Sequence, residues 1–226
     1  MFLDGWYPPR METAPDKTSR TQEERTFATR ARLVEATLDL LLAKGYAGTT
    51  TVDIAARAGL TRGALAHHYA GKDELVVEAF DRHLTIVTQE IRTYATLVRD
   101  GSLSLDDFID RVWTIFSGRF FMLTLEEVTA ARHNDFLRIR LVSRTRDFHD
   151  SLDAIWRQFF DETGLNPLEI EVMLNATLCL LRGMGGQTVL RDDPVYFRRL
   201  LRFWKSLLKE QIKAATTAAA SSAAAQ

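Results

Sequence analysis

The sequence predicts an all-α fold, and two observations carry that reading. Apolar residues recur at steps of three and four almost everywhere between residue 21 and residue 213, with no sustained alternation of β-branched and polar residues that a sheet would need. Threonine and glycine then punctuate the first third of the chain into short helical pieces rather than strands. At 226 residues the chain is one large domain or two small ones, long enough to bury a real core.

Each element follows in order. Residues 1–20 hold Pro8, Pro9 and Pro15 among mixed polar residues, a composition that reads as a mobile arm; Met11 is an alternative start. The opening MFLDGWYPPR lacks the basic head and apolar stretch of a secretory signal. The first helix begins near Glu23 and lines up Phe27, Ala31, Val34, Leu38, Leu41 and Leu42 as one apolar stripe, until Gly45 stops it. Thr50 and Asp53 form a reciprocal cap for a short helix from Thr51 to Ala58. Gly59 breaks that helix where the chain needs a positive φ, and Thr61 caps another that runs through Tyr69. Two short helices joined by a glycine turn make a helix-turn-helix unit, which sets residues 21–71 apart as a three-helix domain. A long helix follows from Lys72 to about Arg99, then three or four helices rich in large apolar side chains. From Ala214 onward the low-complexity sequence AATTAAASSAAAQ reads as a frayed tail over 214–226.

Composition narrows the function. A net charge of −1 excludes a protein that coats nucleic acid through overall basicity, so any anion binding is local. The apolar fraction of 46% is ordinary for a globular protein, and no apolar run reaches the ~18 residues of a membrane span, so a soluble, cytoplasmic protein is expected. Cys179 is the lone cysteine, unable to form an internal disulfide, and on an apolar helix it reads as a small core residue. His67 and His68 splay to different sides of a helix, the remaining histidines stand apart, and HExxH, CxxC and GxSxG are absent, so neither a metal site nor an enzyme is expected, nor a cofactor.

The helix-turn-helix unit has the chemistry of a groove reader. Its second short helix, TRGALAHHY, opens with Thr61 and Arg62 and keeps Gly63 and Ala64 where bulk would hold the backbone off a surface. The DNA major groove, ~12 Å wide, accepts one α-helix and meets its N-terminal side chains. Arg62, Thr61 and His67 are the polar candidates, while Leu65 faces the opposite way and packs on the first helix. Beyond Tyr69 the start of a new helix offers free N–H groups and Lys72 to a phosphate. From Lys17 to Lys72 nine cations stand against five acids, a local excess of +4 that suits counterion-release binding. A helical interaction module that keeps this unit as mere scaffold would have no need of groove-ready residues at an exposed helix end.

The stretch GYAGTTTVDIAARAGLTRGALAHHYAGKDEL resembles the DNA-binding signature of the TetR family of bacterial transcriptional regulators. Gly45-Tyr46, Thr49-Thr50, Ile54-Ala55, Ala58-Gly59, Thr61, Gly63, Leu65, His68-Tyr69, Lys72 and Leu75 stand at the family's spacing, over roughly Arg25 to Phe80. Where the family often has a tyrosine that helps hold DNA, this chain has Ala66, so that role passes to His67 or Tyr69 or is absent. The resemblance implies DNA contacts from Thr50, Thr61, Arg62, Gly63, Ala64, His67, His68, Tyr69 and Lys72. It also implies about nine helices per subunit, a palindromic operator, a homodimer, and a ligand-binding and dimerisation domain over 72–213 that senses a small, largely apolar molecule and releases the repressor. On that reading the long helix after Lys72 transmits ligand binding to the reading helix.

Two further sets of residues follow from the resemblance. The last two helices, expected over Glu169–Leu190 and Pro194–Lys213, should form the subunit interface, with Gly183, Phe197, Leu201, Trp204 and Leu208 in the seam. The group Gly183-Met184-Gly185-Gly186 is costly inside a helix, which close approach of a neighbouring helix would offset; a plain helix end is the alternative. Trp113, Phe116, Phe120 and Phe136, with His133 and Arg140 as polar handles, are the candidate ligand pocket, although aromatics at helical spacing are mostly core.

Overall fold

A computed structural model describes residues 21–160 and 165–224, with side chains through residue 218. The expected arm over 1–20 lies outside the described residues. Among those described there are nine α-helices and no strand: α1 (Gln22–Gly48), α2 (Thr51–Arg57), α3 (Arg62–His68), α4 (Lys72–Arg99), α5 (Leu105–Phe116), α6 (Arg119–Ala131), α7 (Asp135–Gln158), α8 (Pro167–Thr188) and α9 (Pro194–Ala224). No helix among them is long and apolar enough to cross a membrane.

Local chemistry sets most of the starts. Thr21 and Glu24 form a reciprocal box at α1, and Asn166 and Glu169 form another at α8. Thr50, Thr61, Ser104 and Asn134 each accept the backbone N–H three residues on. Gly45 (φ 68°) interrupts α1 and Gly59 (φ 64°) turns the chain between α2 and α3, both in the left-handed region that favours glycine.

Two hydrophobic cores result, and α1 serves both. Leu33, Ala36 and Leu40 pack with Ile54, Ala55, Leu65, Tyr69 and Leu75 in the small N-terminal core. Val34, Leu38 and Leu41 face the large core of α4–α9. A helix buried on two sides has no single stripe, which is why the expected one is only partly right: Phe27 is 74% exposed and Leu42 also faces solvent. The chain end differs too. α9 runs through the Ala-rich stretch to Ala224, consistent with alanine's helix propensity, where a frayed tail was expected from Ala214.

Candidate nucleic-acid interface and sensory core

Within the small N-terminal core α3 is held by its inner face, Leu65 and Tyr69, both buried. Its outer face carries Thr61, Arg62, Gly63, Ala66 and His67 in solvent, with Ala64 and His68 half-buried. Thr61 Oγ1 accepts from Ala64 N at 3.1 Å, fixing the helix start beside Arg62. The α2–α3 turn is tied from behind by Arg32, whose Nη2 donates to the carbonyls of Ala58 and Gly59.

What separates Arg62 from its neighbours is its lack of a partner. Arg30 pairs with Glu78, Arg57 with Asp39 at 2.8 Å and Lys44 with Asp53 at 3.4 Å. Lys72 Nζ donates to Tyr46 O at 2.9 Å and lies 3.8 Å from the centroid of the Tyr46 ring. Among the described residues of this unit, only Arg25 and Arg62 are cations whose side chains have neither ion pair nor hydrogen bond, and Arg62 is the one at the start of the reading helix. Thr50 is exposed at the start of α2, where its hydroxyl is already engaged with Asp53. Tyr69 departs from expectation: at 5% exposure its ring belongs to the core beneath α3, with Arg30 stacked 5.1 Å from it, so it supports the reader rather than touching DNA. Gly71 gives α4 no side-chain cap, which leaves that N-terminus open.

A polar joint ties this unit to the large domain, and sequence reasoning gave it no role. Tyr46 N donates to Glu126 Oε2 on α6 at 3.1 Å, and Tyr46 Oη donates to Asp73 Oδ1 on α4 at 2.5 Å. Asn134, between α6 and α7, sends Nδ2 to Asp73 Oδ2 at 2.7 Å and to Tyr46 Oη at 3.2 Å, while its Oδ1 caps α7 by accepting from Leu137 N at 3.2 Å. Burial and the neighbouring Asp73 carboxylate push the Tyr46 hydroxyl above its usual range. Asp39 on α1 adds a second tie, bridging Arg57 of α2 and Arg119 of α6 at 2.8 and 3.0 Å. Burial alone would raise its pKa, but the two guanidiniums hold it below the usual carboxylate range. The only signal in the sequence was Gly45-Tyr46 itself; partners 27 to 88 residues away carry no local signature.

The six residues expected to line a ligand pocket do not form one site. Phe116 and Phe120 are buried, 5.5 Å apart, and Phe120 also packs on His83 and Phe148. Trp113 is half-buried against Phe197. His133, Phe136 and Arg140 lie on the surface, with Arg140 stacked on Phe136 at 4.5 Å. A cavity lies instead among α4, α5, α7 and α8, lined by Ile91, Phe108, Val112, Trp156, Leu178 and Leu181 together with further aliphatic residues and Thr177, with a free volume of about 20 Å³. The large domain also hides titratable groups. Glu127 is 2% exposed, both its carboxylate oxygens lack hydrogen-bond partners, and burial raises its pKa well above the ordinary value. His83 is held down to about 4 by burial and, secondarily, by Arg119.

The expected seam is corrected in the same way. Phe197, Leu201 and Leu208 are buried within the protomer, and Trp204 donates its indole N–H to Thr177 Oγ1 at 3.0 Å. These residues face α5 and α8, because α9 is apolar on more than one side. Gly183 does face open space. Gly185, two residues on, meets the close approach inside the chain, since a Cβ there would run into Phe116 O and lie 2.8 Å from Phe121 Cδ1. On the outer faces of α8 and α9, Leu168, Val172, Val195 and Phe203 are exposed. Cys179 is exposed there too, rather than in the core.

The family described as bacterial regulatory proteins, tetR family, matches residues 33–79, which span α2 and α3 with the later part of α1 and the start of α4. An uncharacterized HTH-type transcriptional regulator of Mycobacterium bovis is 32% identical over 189 residues, covering 78% of this chain and 94% of that one. The HTH-type transcriptional regulator CymR of Pseudomonas putida is 27% identical over 195 residues, covering 85% of this chain and 95% of the relative. A crystal structure from Mesorhizobium loti assigned to the TetR family superposes with a TM-score of 0.69 at 15% identity, over 84% of this chain and 97% of that one. With a helix-turn-helix inside the stretch that the family matches, and a relative of 32% identity that it spans almost end to end, the chain belongs to the TetR family of DNA-binding transcriptional regulators, not of enzymes.

Proposed function

We propose that this regulator is a homodimeric repressor that reads a palindromic operator with a pair of α3 helices and leaves it when a small, largely apolar molecule enters the large domain. The observation that carries the reading is Arg62, exposed and without an intramolecular partner at the start of α3, while its neighbours are tied into the fold. A guanidinium so placed suits a bidentate contact to a guanine edge. Thr61, Gly63, Ala64 and His67 complete the face, with His68 at its edge; Thr50 and Lys72 serve the phosphates, Lys72 by leaving its seat on Tyr46. Residues 21–71 are then the DNA unit and 72–213 the sensing and dimerising one. Val172, Cys179 and Gly183 of α8 with Phe203 of α9 replace the buried residues as the seam. An operator on the chromosome places the work in the cytoplasm.

Repression requires the two α3 helices about one DNA turn apart, ~34–36 Å, so a ligand that favours another spacing weakens both half-sites at once. α4 suits the task, since it starts at the joint with Tyr46 and reaches the cavity at Ile91. The test is footprinting on DNA selected by the full-length protein from a random-sequence pool. Two protected half-sites one turn apart are expected, with base discrimination lost in Arg62→Ala. An unchanged footprint and unchanged discrimination in that variant would refute α3 as the reader.

A further inference from the structure

We infer that Arg25, near the start of α1, grips a backbone phosphate of the DNA on the opposite side of the start of α3 from Thr50. The inference carries DNA binding to a residue outside the helix-turn-helix, and it rests on α3 as the reader. Charge gives the first support. Arg25 stands in solvent, and among the described cations of the DNA unit it shares only with Arg62 the lack of any ion pair or side-chain hydrogen bond. The others are spent on the fold: Arg30 on Glu78, Lys44 on Asp53, Arg57 on Asp39, Arg32 on the carbonyl of Ala58 and Lys72 on that of Tyr46. The acids next to Arg25 leave it unanswered. Glu24 closes the cap of α1, its Oε2 accepting from Thr21 N at 2.8 Å, and Glu23, two residues back, is turned about 200° around the helix. A guanidinium left over in this way suits the oxygens of a phosphate, which it meets with two parallel N–H···O bonds.

Position gives the second support. α2 runs back along α1: Asp53 meets Lys44, Arg57 meets Asp39, and Ala58 and Gly59 at the turn into α3 meet Arg32. Arg25 lies two helical turns, about 10 Å, further in the same direction. It also lies on the right side. Arg32 and Ala36 stand within about 20° of it around the helix, the first bound to the α2–α3 turn and the second buried in the small N-terminal core. Measured along α1, Thr50 at the start of α2 and Arg25 therefore bracket the start of α3, where Arg62 stands. A helix in the major groove has a phosphate strand on either side, so one bracket falls to each strand. A contact of this kind holds the reader in place without selecting bases.

Fluorescence anisotropy tests this with the full chain, the selected operator and an unrelated duplex of equal length, each titrated across a fourfold range of salt. In Arg25→Ala the slope of log affinity against log salt should flatten by about 0.9 per bound protomer, so that fourfold more salt weakens the wild type about 3.5-fold more per protomer than the variant. Affinity for both duplexes should fall by the same factor, leaving the preference between them and the melting temperature unchanged. Arg25→Lys should keep the wild-type slope, and so should Arg146→Ala, which removes an exposed, unpaired cation of α7. An unchanged slope in Arg25→Ala, an equal flattening in Arg146→Ala or in Arg25→Lys, an altered preference between the duplexes, or a lowered melting temperature would each overturn the inference. Arg62→Ala separates it from the reading on which it rests. Discrimination retained in Arg62→Ala beside a flattened slope in Arg25→Ala would sustain the phosphate contact and refute α3 as the reader; discrimination lost beside an unchanged slope would do the reverse.

Discussion

The helix-turn-helix unit and the large domain use polar groups in opposite ways. In the first, most of the cationic side chains are paired and Arg62, which is not, stands in solvent at a helix start. In the second, groups without partners are hidden: Glu127, the Nε2 of His83 and the indole of Trp156 are all buried. A free charge in water costs little and remains available to a strongly charged partner such as DNA. A free polar group in the interior lowers stability until something satisfies it. The contrast fits one region that awaits a macroion at its surface and another that responds from within.

Substitutions can break this contrast or sharpen it. The largest effect is expected at α9. Leu201→Glu places an unpaired charge at a position 3% exposed and should cost more than about 4 kcal/mol, unfolding the protomer; Phe203→Glu, at a position 64% exposed, should leave it folded and yield monomers. Circular dichroism melts and sedimentation read the two outcomes, and a dimeric Phe203→Glu would exclude that face as the seam.

Next comes the buried imidazole. Because burial depresses His83 from 6.5 to about 4, the folded chain binds fewer protons than the unfolded one across that interval. Its contribution to stability is therefore full above pH 6.5 and is lost as pH falls toward 4, by about 3 kcal/mol. His83→Phe should gain that much on the wild type between pH 7 and pH 4 in urea titrations. A constant difference between the two proteins would mean that the imidazole is not held neutral.

At the surface, Arg62→Ala should cost about 1–3 kcal/mol per half-site in operator binding and nothing measurable in thermal stability. Loss of stability in this variant would show that Arg62 had structural partners after all.

Smallest is Tyr46→Phe, which removes the hydroxyl between Asp73 and Asn134 and should cost about 1 kcal/mol. Hydrogen exchange should quicken in α2 and α3 while the interior of α5–α8 stays protected; uniform quickening would deny the joint a local role.

The same contrast explains what could be read from the chain. Thr50, Gly59, Thr61 and Leu65 act on neighbours a few residues away, so caps, turn and inner face of the reading unit were legible. So were the extent of α4 and the starts of α8 and α9 to within two residues. The resemblance points Tyr69 at DNA, but its place at a helix end says nothing about what lies beneath it. The interface and pocket residues failed for a related reason. Period gives the existence of an apolar face, but α9 has apolar residues on its inner and outer sides, and only tertiary packing decides that Leu201 meets its own protomer while Phe203 meets solvent. Phe136 and Arg140 satisfy each other on the surface of α7, which a stripe of aromatics does not reveal. Nothing in the sequence sets Trp156 apart from other aromatics, since an unmet N–H is a property of its surroundings.

Asn134 works with both ends of one amide: the oxygen begins α7 and the nitrogen holds Asp73 and Tyr46. Hydrolysis of that amide to an aspartate side chain would exchange that nitrogen for oxygen while leaving the shape almost unaltered. The new carboxylate would still serve α7, yet it would stand within hydrogen-bonding distance of Asp73, where two negative charges cannot both be tolerated. Chemical ageing at a single side chain would thus loosen the seat of the reading unit while leaving every helix intact, and old preparations of the protein would lose DNA affinity before they lose helicity.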